Sequence, residues 1–383
     1  MLIPPRRLRL WGFFRENKVD PDTGFMQLAL REAKRGFGAT SPNPRVGAVV
    51  VHEGRVISRG YHRAFGTLHA EAQSLKRLPQ GRAVGATLYV NLEPCCHQGK
   101  TPPCTEAIIQ SGIRRVVYGI RDPNPLVNGR GLQALAAAGI EIQGPILEEE
   151  AAEINRGYLK FRQTGRPWVT LKWAQSLDGR IAAATGDSRW ISGPESLKLA
   201  HRLRAENDAV LIGINTALAD DPQLTVREVK GRNPRRVILD AHLRLNPEAT
   251  LFRAAAQAPV FIATQPYPPA EKTKLLEDRG CELIWVPQMK KDELDLGVLL
   301  DELGQRGILY LLVEGGSRVL ASFIRQNLFD EIVVVTAPVL LGGDGVPATA
   351  SLGIERISQA VKLSVRKQKL VGQDMASWLR PIS

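Results

Sequence analysis

The chain has 383 residues, a 44% hydrophobic fraction and a formal net charge of +12. That length suits two domains of ordinary globular composition, and no apolar run is long enough to span a membrane as a helix. The positive charge points to anionic partners, and the scattered Lys and Arg with only 6% aromatics favour phosphorylated metabolites over nucleic acid.

Residues 1–24 are basic at their start, lack an apolar signal core, and are read as an N-terminal extension. Residues 25–36 then predict an amphipathic helix, because Met26, Ala29, Leu30 and Ala33 fall on one face. Two β-branched runs around His52-Glu53-Gly54 predict a hairpin. A helix is expected from near His69, a strand over 86–92, and another helix at Cys104, just after Pro103. A strand RRVVYGI, a helix GLQALAAAG, a strand IEIQG and a closing helix over 148–163 complete this series. After Gly165-Arg166-Pro167 a second series opens with WVTLKWA. It continues through AVLIGI, RRVILD, PVFIAT, CELIWV, ILYLLVE and EIVVVTAP. Such alternation implies an α/β layer fold in each half. The division expected is 25–164 and 165–383.

Three of the four cysteines, Cys95, Cys96 and Cys104, lie within ten residues. In a chain of this size that clustering favours a metal over a disulfide framework. His69-Ala70-Glu71, Pro94-Cys95 and Cys104 together offer one imidazole, two thiolates and one carboxylate that need not bind metal. Such a set suits Zn²⁺ held by His and two Cys, with a fourth position for water and a Glu that moves protons. The usual deaminase spacing is C-x-x-C; here eight residues, CHQGKTPP, separate Cys95 from Cys104. Cys96 is an alternative ligand, and Cys95 is preferred because Pro94 precedes it. The loop also offers Lys100 and Thr101 as phosphate or substrate contacts. Taken singly, His69 reads as a core histidine, Asn43-Pro44 as a turn and His62 as a surface residue at a strand end.

The stretches SPNPRVGAVVV, GYHRAFGTLHAEAQSL, NLEPCCHQGKTPPC and RDPNPLVNGRGL resemble the deaminase half of the bifunctional RibD family of riboflavin biosynthesis. The resemblance implies a three-layer cytidine-deaminase-like domain. It also implies deamination of 2,5-diamino-6-ribosylamino-4(3H)-pyrimidinone 5′-phosphate. It makes His69, Cys95 and Cys104 zinc ligands and Glu71 the catalytic proton carrier. Asn43, His62, Lys100 and Thr101 become substrate contacts, with Asn124 a weaker candidate.

In the second half, LLVEGGSRVLASFI places Glu314-Gly315-Gly316 between a buried strand and a helix. That step lets backbone N–H groups approach a phosphate, although G-x-G-x-x-G is absent. Taken singly the Gly pair reads as a tight turn, Asp220-Asp221-Pro222 as a loop or helix start, and Arg227 as a solvated charge. RPWVTLKWAQSLDGRIA, SRWISG, LRAENDAVLIGINTALADDPQLTVR and the glycine stretch together resemble the reductase half of the same family, whose fold is like dihydrofolate reductase. The resemblance implies NADPH-dependent reduction of the ribosyl group to a ribityl chain. It makes Lys172, Ser188, Arg204, Leu224, Arg227 and Glu314 substrate contacts. Ala174, Trp190, Thr216, Asp220, Gly316, Ser317, Arg318, Val319, Leu320, Ala321 and Ser322 would line the NADP site. Ala241 departs from the small hydroxyl residue expected near the cofactor. A cytoplasmic homo-oligomer is expected, with a phosphorylated pyrimidine as substrate, no nucleic acid and no membrane. A nucleic-acid deaminase or tRNA-binding protein is the competing reading. The +12 charge favours it, while the second α/β domain and the phosphate-sized loop at Lys100 oppose it.

Overall fold

Asp20 caps the first helix by accepting the Thr23 N–H at 3.3 Å, and Pro21 follows as its first residue. Pro is suited there because its missing N–H has no intrahelical partner in any case. The structure is a computed structural model; it describes residues 20–99, 101–254, 258–290 and 293–382. Lys100 and most of the N-terminal extension lie outside the described residues. The chain divides into two compact units, the first ending at Gln163 and the second starting at Thr164.

In the first unit, α1 (Pro21–Ala33) begins four residues before the apolar periodicity and gives way to a 3₁₀ turn over Lys34–Gly36. Residues 21–24, read as extension, therefore belong to this helix. Then follow β1 (Gly47–His52), β2 (Arg55–Tyr61), α2 (Ala70–Lys76), β3 (Thr87–Leu92), α3 (Cys104–Gln110), β4 (Arg115–Ile120), α4 (Arg130–Ala137) and β5 (Glu141–Gln143). The sheet order is β2-β1-β3-β4-β5. The β1–β2 and β1–β3 pairs are antiparallel, and β3, β4 and β5 run parallel. Nearly every residue of β1, β3 and β4 is buried, so both faces need cover. Contacts group α1 with the helix over Glu148–Ile154 on one side and α2 with α3 and α4 on the other, which makes three layers.

The single closing helix expected over 148–163 is two helices, α5 (Glu148–Ile154) and α6 (Arg156–Thr164). Asn155 makes the break. Its Oδ1 accepts the Arg45 N–H at 2.8 Å, and its Nδ2 donates to the Arg45 carbonyl at 3.2 Å. Its side chain is committed to the peptide of Arg45 in the segment before β1, a distant tie that periodicity does not register.

The second unit has a nine-stranded sheet. In chain order its elements are β6 (Trp168–Gln175), the short β7 (Arg180–Ala182), α7 (Pro194–Glu206), β8 (Ala209–Gly213), α8 (Ile214–Asp220), β9 (Arg235–Leu239), β10 (Val260–Thr264), α9 (Ala270–Glu277) and β11 (Cys281–Trp285). A two-stranded ribbon of β12 (Gln288–Lys290) and β13 (Glu293–Leu294) comes next. The chain then forms α10 (Leu296–Gln305), β14 (Tyr310–Val313), α11 (Ser317–Arg325), β15 (Glu331–Thr336), β16 (Val346–Pro347), β17 (Leu363–Val371) and β18 (Asp374–Pro381). The main order is β11-β10-β9-β8-β14-β6-β15-β18-β17. The strands from β11 to β15 are parallel; β18 and β17 join antiparallel. All seven strands expected from apolar runs are present. The terminal hairpin was not among them, because β17 carries exposed Arg366, Lys367 and Gln368 and half-buried Lys369 and so has no continuous apolar signal.

Candidate functional sites

The first site gathers at the sheet end of the first unit. His69 is the N-cap of α2, and Cys104 opens α3. His69 Nδ1 lies 3.2 Å from Cys104 Sγ and 3.4 Å from Cys95 Sγ, and the three ligand atoms lie within 4.8 Å of one another. Zinc bonds of about 2.0 Å to nitrogen and about 2.3 Å to sulfur imply an N···S edge of roughly 3.5 Å in a tetrahedron. The donor set and its spacing therefore fit Zn²⁺. The Cys104 N–H donates to Cys95 Sγ at 3.4 Å, as a helix N-terminus favours a thiolate. Cys96 stands apart; its thiol faces the Leu126 carbonyl at 3.5 Å.

The thiols share their protons unequally. The hydrogen bond from Cys104, helped by His69, holds Cys95 down at about 4. The same bond, with burial, pushes Cys104 well above an ordinary thiol. The contact with Cys95 raises His69. Glu71 sits in the first turn of α2 and is 3% exposed, and its Oε2 is buried without a hydrogen-bond partner. Burial pushes Glu71 up to about 7. A carboxyl poised there, with a free oxygen, is matched to proton transfer near neutral pH.

A cavity of about 230 Å³ adjoins these groups. Asn43, His62 and Thr101 line it with Glu71, as does Asn124. His62 Nδ1 faces the Leu68 carbonyl at 3.2 Å, and its Nε2 faces Asn43 Nδ2 at 3.1 Å. The carbonyl requires a proton on Nδ1, so Nε2 accepts from the Asn43 amide. Burial lowers the His62 pKa, which keeps that neutral tautomer. Thr101 Oγ1 stands 3.5 Å from His69 Nε2.

Several residues that hold this site were not singled out from sequence. Asn91 accepts the Gly47 N–H at 2.8 Å and donates to the Arg45 carbonyl at 3.0 Å, so with Asn155 it clamps the segment that carries Asn43. Glu93 is 3% exposed and its two oxygens take four backbone N–H groups. Oε2 accepts from Asp122 at 3.3 Å and Gly129 at 3.0 Å; Oε1 accepts from Gly131 at 3.1 Å and Leu132 at 3.4 Å. This knot ties the strand leading to Cys95 to the loop that carries Asn124. A Cβ on Gly131 would sit 2.1 Å from the Pro94 carbonyl oxygen, so only glycine permits the approach. The one available signal was Glu93 itself, an acid at the end of an otherwise apolar strand.

The second unit holds a cleft of about 980 Å³ at the carboxyl ends of its parallel strands, where open α/β sheets bind ligands. Gly213, Leu239 and Ala241 form its floor, and Thr216, Gly316, Ser317, Arg318, Val319 and Ser322 line its wall. Leu320 and Ala321 lie behind that wall in the core, fully buried. Ala174, Trp190 and Asp220 do not line the cleft; Trp190 is 77% exposed. Asp220 is the last residue of α8, so the Asp-Asp-Pro segment is a helix end and not a start. There Asp221, at φ 39°, accepts the Thr250 N–H at 2.7 Å. A Cβ on Gly315 would lie 2.6 Å from Val319 Cβ, and one on Gly316 would lie 3.2 Å from Thr216 Oγ1. Gly315 thus makes room for Val319 of its own helix and Gly316 for Thr216 of α8, while a Cβ on Gly213, at the end of β8, would lie 2.7 Å from Val319 Cγ2, so glycine there lets α11 close onto β8. With Arg244 and Arg318 also in the lining, the residues fit a phosphate-bearing dinucleotide.

Of the substrate contacts expected in this unit, Lys172, Arg204 and Glu314 form a separate charged cluster. Arg204 Nε and Nη2 donate to Glu314 Oε2 at 2.9 and 2.6 Å, and Glu314 Oε1 is buried without a partner. Burial alone would raise the Glu314 carboxyl, but Arg204 and then Lys172 outweigh it and its pKa is lowered. Burial lowers Lys172. Leu224 is buried at φ 56°. Arg227 is exposed; its Nη1 donates to Gln223 Oε1 at 2.7 Å and Thr225 Oγ1 at 3.0 Å. Ser188 is half-buried in the exposed loop before α7.

Comparison with known proteins agrees with both halves. Residues 20–120 match the cytidine and deoxycytidylate deaminase zinc-binding region, and residues 167–377 match the RibD C-terminal domain. The riboflavin biosynthesis protein RibD of Aquifex aeolicus is 43% identical over 94% of this chain and 98% of its own length. The Escherichia coli protein of that name is 37% identical over 92% and 98%. Among solved structures, Acinetobacter baumannii RibD superposes with a TM-score of 0.85 at 37% identity, covering 94% of this chain and 99% of that one. A Thermotoga maritima structure gives 0.82 at 36% identity, covering 94% and 99%, and is described as a diaminohydroxyphosphoribosylaminopyrimidine deaminase/5-amino-6-(5-phosphoribosylamino)uracil reductase. With a His-Cys-Cys donor set that fits a metal in one unit, a dinucleotide-sized cleft in the other and relatives matched along nearly their whole length, the chain belongs to the RibD family of riboflavin biosynthesis proteins.

Proposed function

We propose that residues 25–164 deaminate 2,5-diamino-6-ribosylamino-4(3H)-pyrimidinone 5′-phosphate and that residues 165–383 reduce the product. The end product is 5-amino-6-(5-phospho-D-ribitylamino)uracil. The observation that carries this reading is the unpartnered, buried Oε2 of Glu71 beside the His69, Cys95 and Cys104 donor set. Zn²⁺ held there supplies a water acidified enough to attack a ring carbon near neutral pH. Glu71 would take one proton from the attacking water and pass it to the ring nitrogen, then carry the remaining proton of the new hydroxyl to the amine as the C–N bond breaks, leaving a carbonyl and ammonia. Asn43 and His62 hold the pyrimidine edge, and Thr101 closes the cavity beside His69. Lys100, outside the described residues, is assigned to the substrate on the family motif.

In the second unit NADPH supplies hydride, and the chain's residues orient the two reactants. Thr216 and the segment from Gly316 to Ser322 hold the dinucleotide, with Ala174, Trp190 and Asp220 assigned to it on motif position. Lys172, Ser188, Arg204, Leu224, Arg227 and Glu314 hold the sugar phosphate. We also assign the protein to the cytoplasm as a homo-oligomer that binds no nucleic acid; no described helix is long and apolar enough to cross a membrane. Purified full-length protein given the diaminopyrimidinone phosphate should release ammonia without NADPH, and should oxidise NADPH only after deamination. Absence of ammonia release would end this reading of the first unit.

A further inference from the structure

The cavity beside the metal donors is lined by one arginine that is not among the proposed zinc and substrate residues. Among its described lining residues, Arg162 is the one Lys or Arg side chain. It belongs to the last turn of α6, at the mouth of the cavity, and is exposed to solvent. A solvated surface arginine would sample many rotamers. Arg162 instead lies with its guanidinium carbon 5.3 Å from the centroid of the Tyr158 ring, one helical turn back. Such a cation–π contact restricts the side chain.

The ring is itself fixed. Tyr158 is 2% exposed, and its hydroxyl donates to Asp122 at 2.9 Å to Oδ1 and 3.2 Å to Oδ2. Asp122 also accepts the Asn124 N–H at 2.9 Å. A buried pair therefore connects the floor of the cavity to the arginine at its rim. Burial raises the Asp122 pKa, while the Asn124 N–H, the Tyr158 hydroxyl and the nearby Arg162 charge favour its carboxylate form. Burial likewise keeps His62 neutral. The other lining acids are accounted for: Glu93 is saturated by four N–H groups and Glu71 faces the metal donors. The cavity thus has a reaction end at His69, Cys95 and Glu71, and Arg162 at its rim as a permanent cation.

We infer that Arg162, oriented by Tyr158 and Asp122, receives the phosphate end of the substrate in the first unit and so selects a phosphorylated pyrimidine over its nucleoside. This rests on the deaminase reading given above. Arginine suits the task because its planar fork meets two phosphate oxygens at once.

The test is steady-state ammonia release by the full-length, zinc-loaded protein. Two substrates are compared: the diaminopyrimidinone ribosylamine 5′-phosphate and the same compound without its phosphate. Arg162→Ala should raise KM for the phosphate about tenfold or more and leave kcat within about twofold, because the lost contact is present in ground and transition states alike. Its kinetics with the nucleoside should equal those of the unaltered protein. Arg162→Lys should recover part of the loss, through charge without the fork. Tyr158→Phe keeps the ring beneath the guanidinium but cuts the tie to Asp122, and should raise KM less, in the same direction. Bound zinc should be unchanged in all three. An unaltered KM in Arg162→Ala, an equal loss with both substrates, or loss of zinc would each overturn the assignment. If the unaltered protein releases ammonia while Arg162→Ala behaves identically, this inference alone fails. If the unaltered protein releases none, the deaminase reading fails and takes this one with it.

Discussion

Glu93→Gln perturbs the site without touching a reacting group. The carboxylate divides its four acceptor contacts evenly, Gly131 and Leu132 on Oε1, Asp122 and Gly129 on Oε2. An amide has one oxygen, so either orientation turns an NH₂ group toward two N–H donors. One contact of each pair is close, at 3.0 or 3.1 Å, and the other is long, at 3.3 or 3.4 Å. A hydrogen bond to a charged group contributes about 1.5–3 kcal/mol, and a long one less, so the pair lost is worth roughly 3 kcal/mol. Two compact units make a single global unfolding energy ill-defined. The proper measurement is native-state hydrogen exchange at Gly129 and Gly131. Loss of roughly 3 kcal/mol should speed exchange there about a hundredfold if opening is local to this knot. Zinc affinity should fall too, because Glu93 sits two residues before Cys95. Exchange within about twofold of the unaltered protein, with unchanged zinc affinity, would refute the view that this carboxylate holds the loop.

Cys104→Ala should lose zinc and ammonia release, whereas Cys96→Ser should keep both; metal analysis of the two purified variants decides between Cys95 and Cys96 as ligand. Glu71→Gln should retain zinc but lower kcat for ammonia release by about two to four orders of magnitude, and reduction of already deaminated substrate should continue at the original rate. Glu314→Gln should impair NADPH oxidation while ammonia release persists, since the amide weakens the two-pronged contact with Arg204; the reverse pattern would put the reductase chemistry elsewhere.

The sequence by itself determined the strands that are buried on both faces. Runs such as AVLIGI and ILYLLVE admit no other placement in a chain of this composition, and their spacing made two α/β units legible. It also determined the chemistry of the metal donors, because an imidazole, two thiols and a nearby carboxylate have few joint uses. What the tertiary structure decided is how those groups are held. Glu93, Asn91 and Asn155 act through backbone groups distant in sequence, and a backbone N–H carries no residue-specific signal. The Asn155 break in the closing helix was hidden for the same reason: its partner, Arg45, lies 110 positions away. The terminal hairpin was hidden by its polar, exposed face; its place is set by β18 pairing with β15. The cleft in the second unit likewise exists only once β8, β9 and α11 are brought together. The steric demand for glycine at Gly213, where a Cβ would lie 2.7 Å from Val319 Cγ2, then becomes visible, because it is a distance between two chain segments and not a pattern along one.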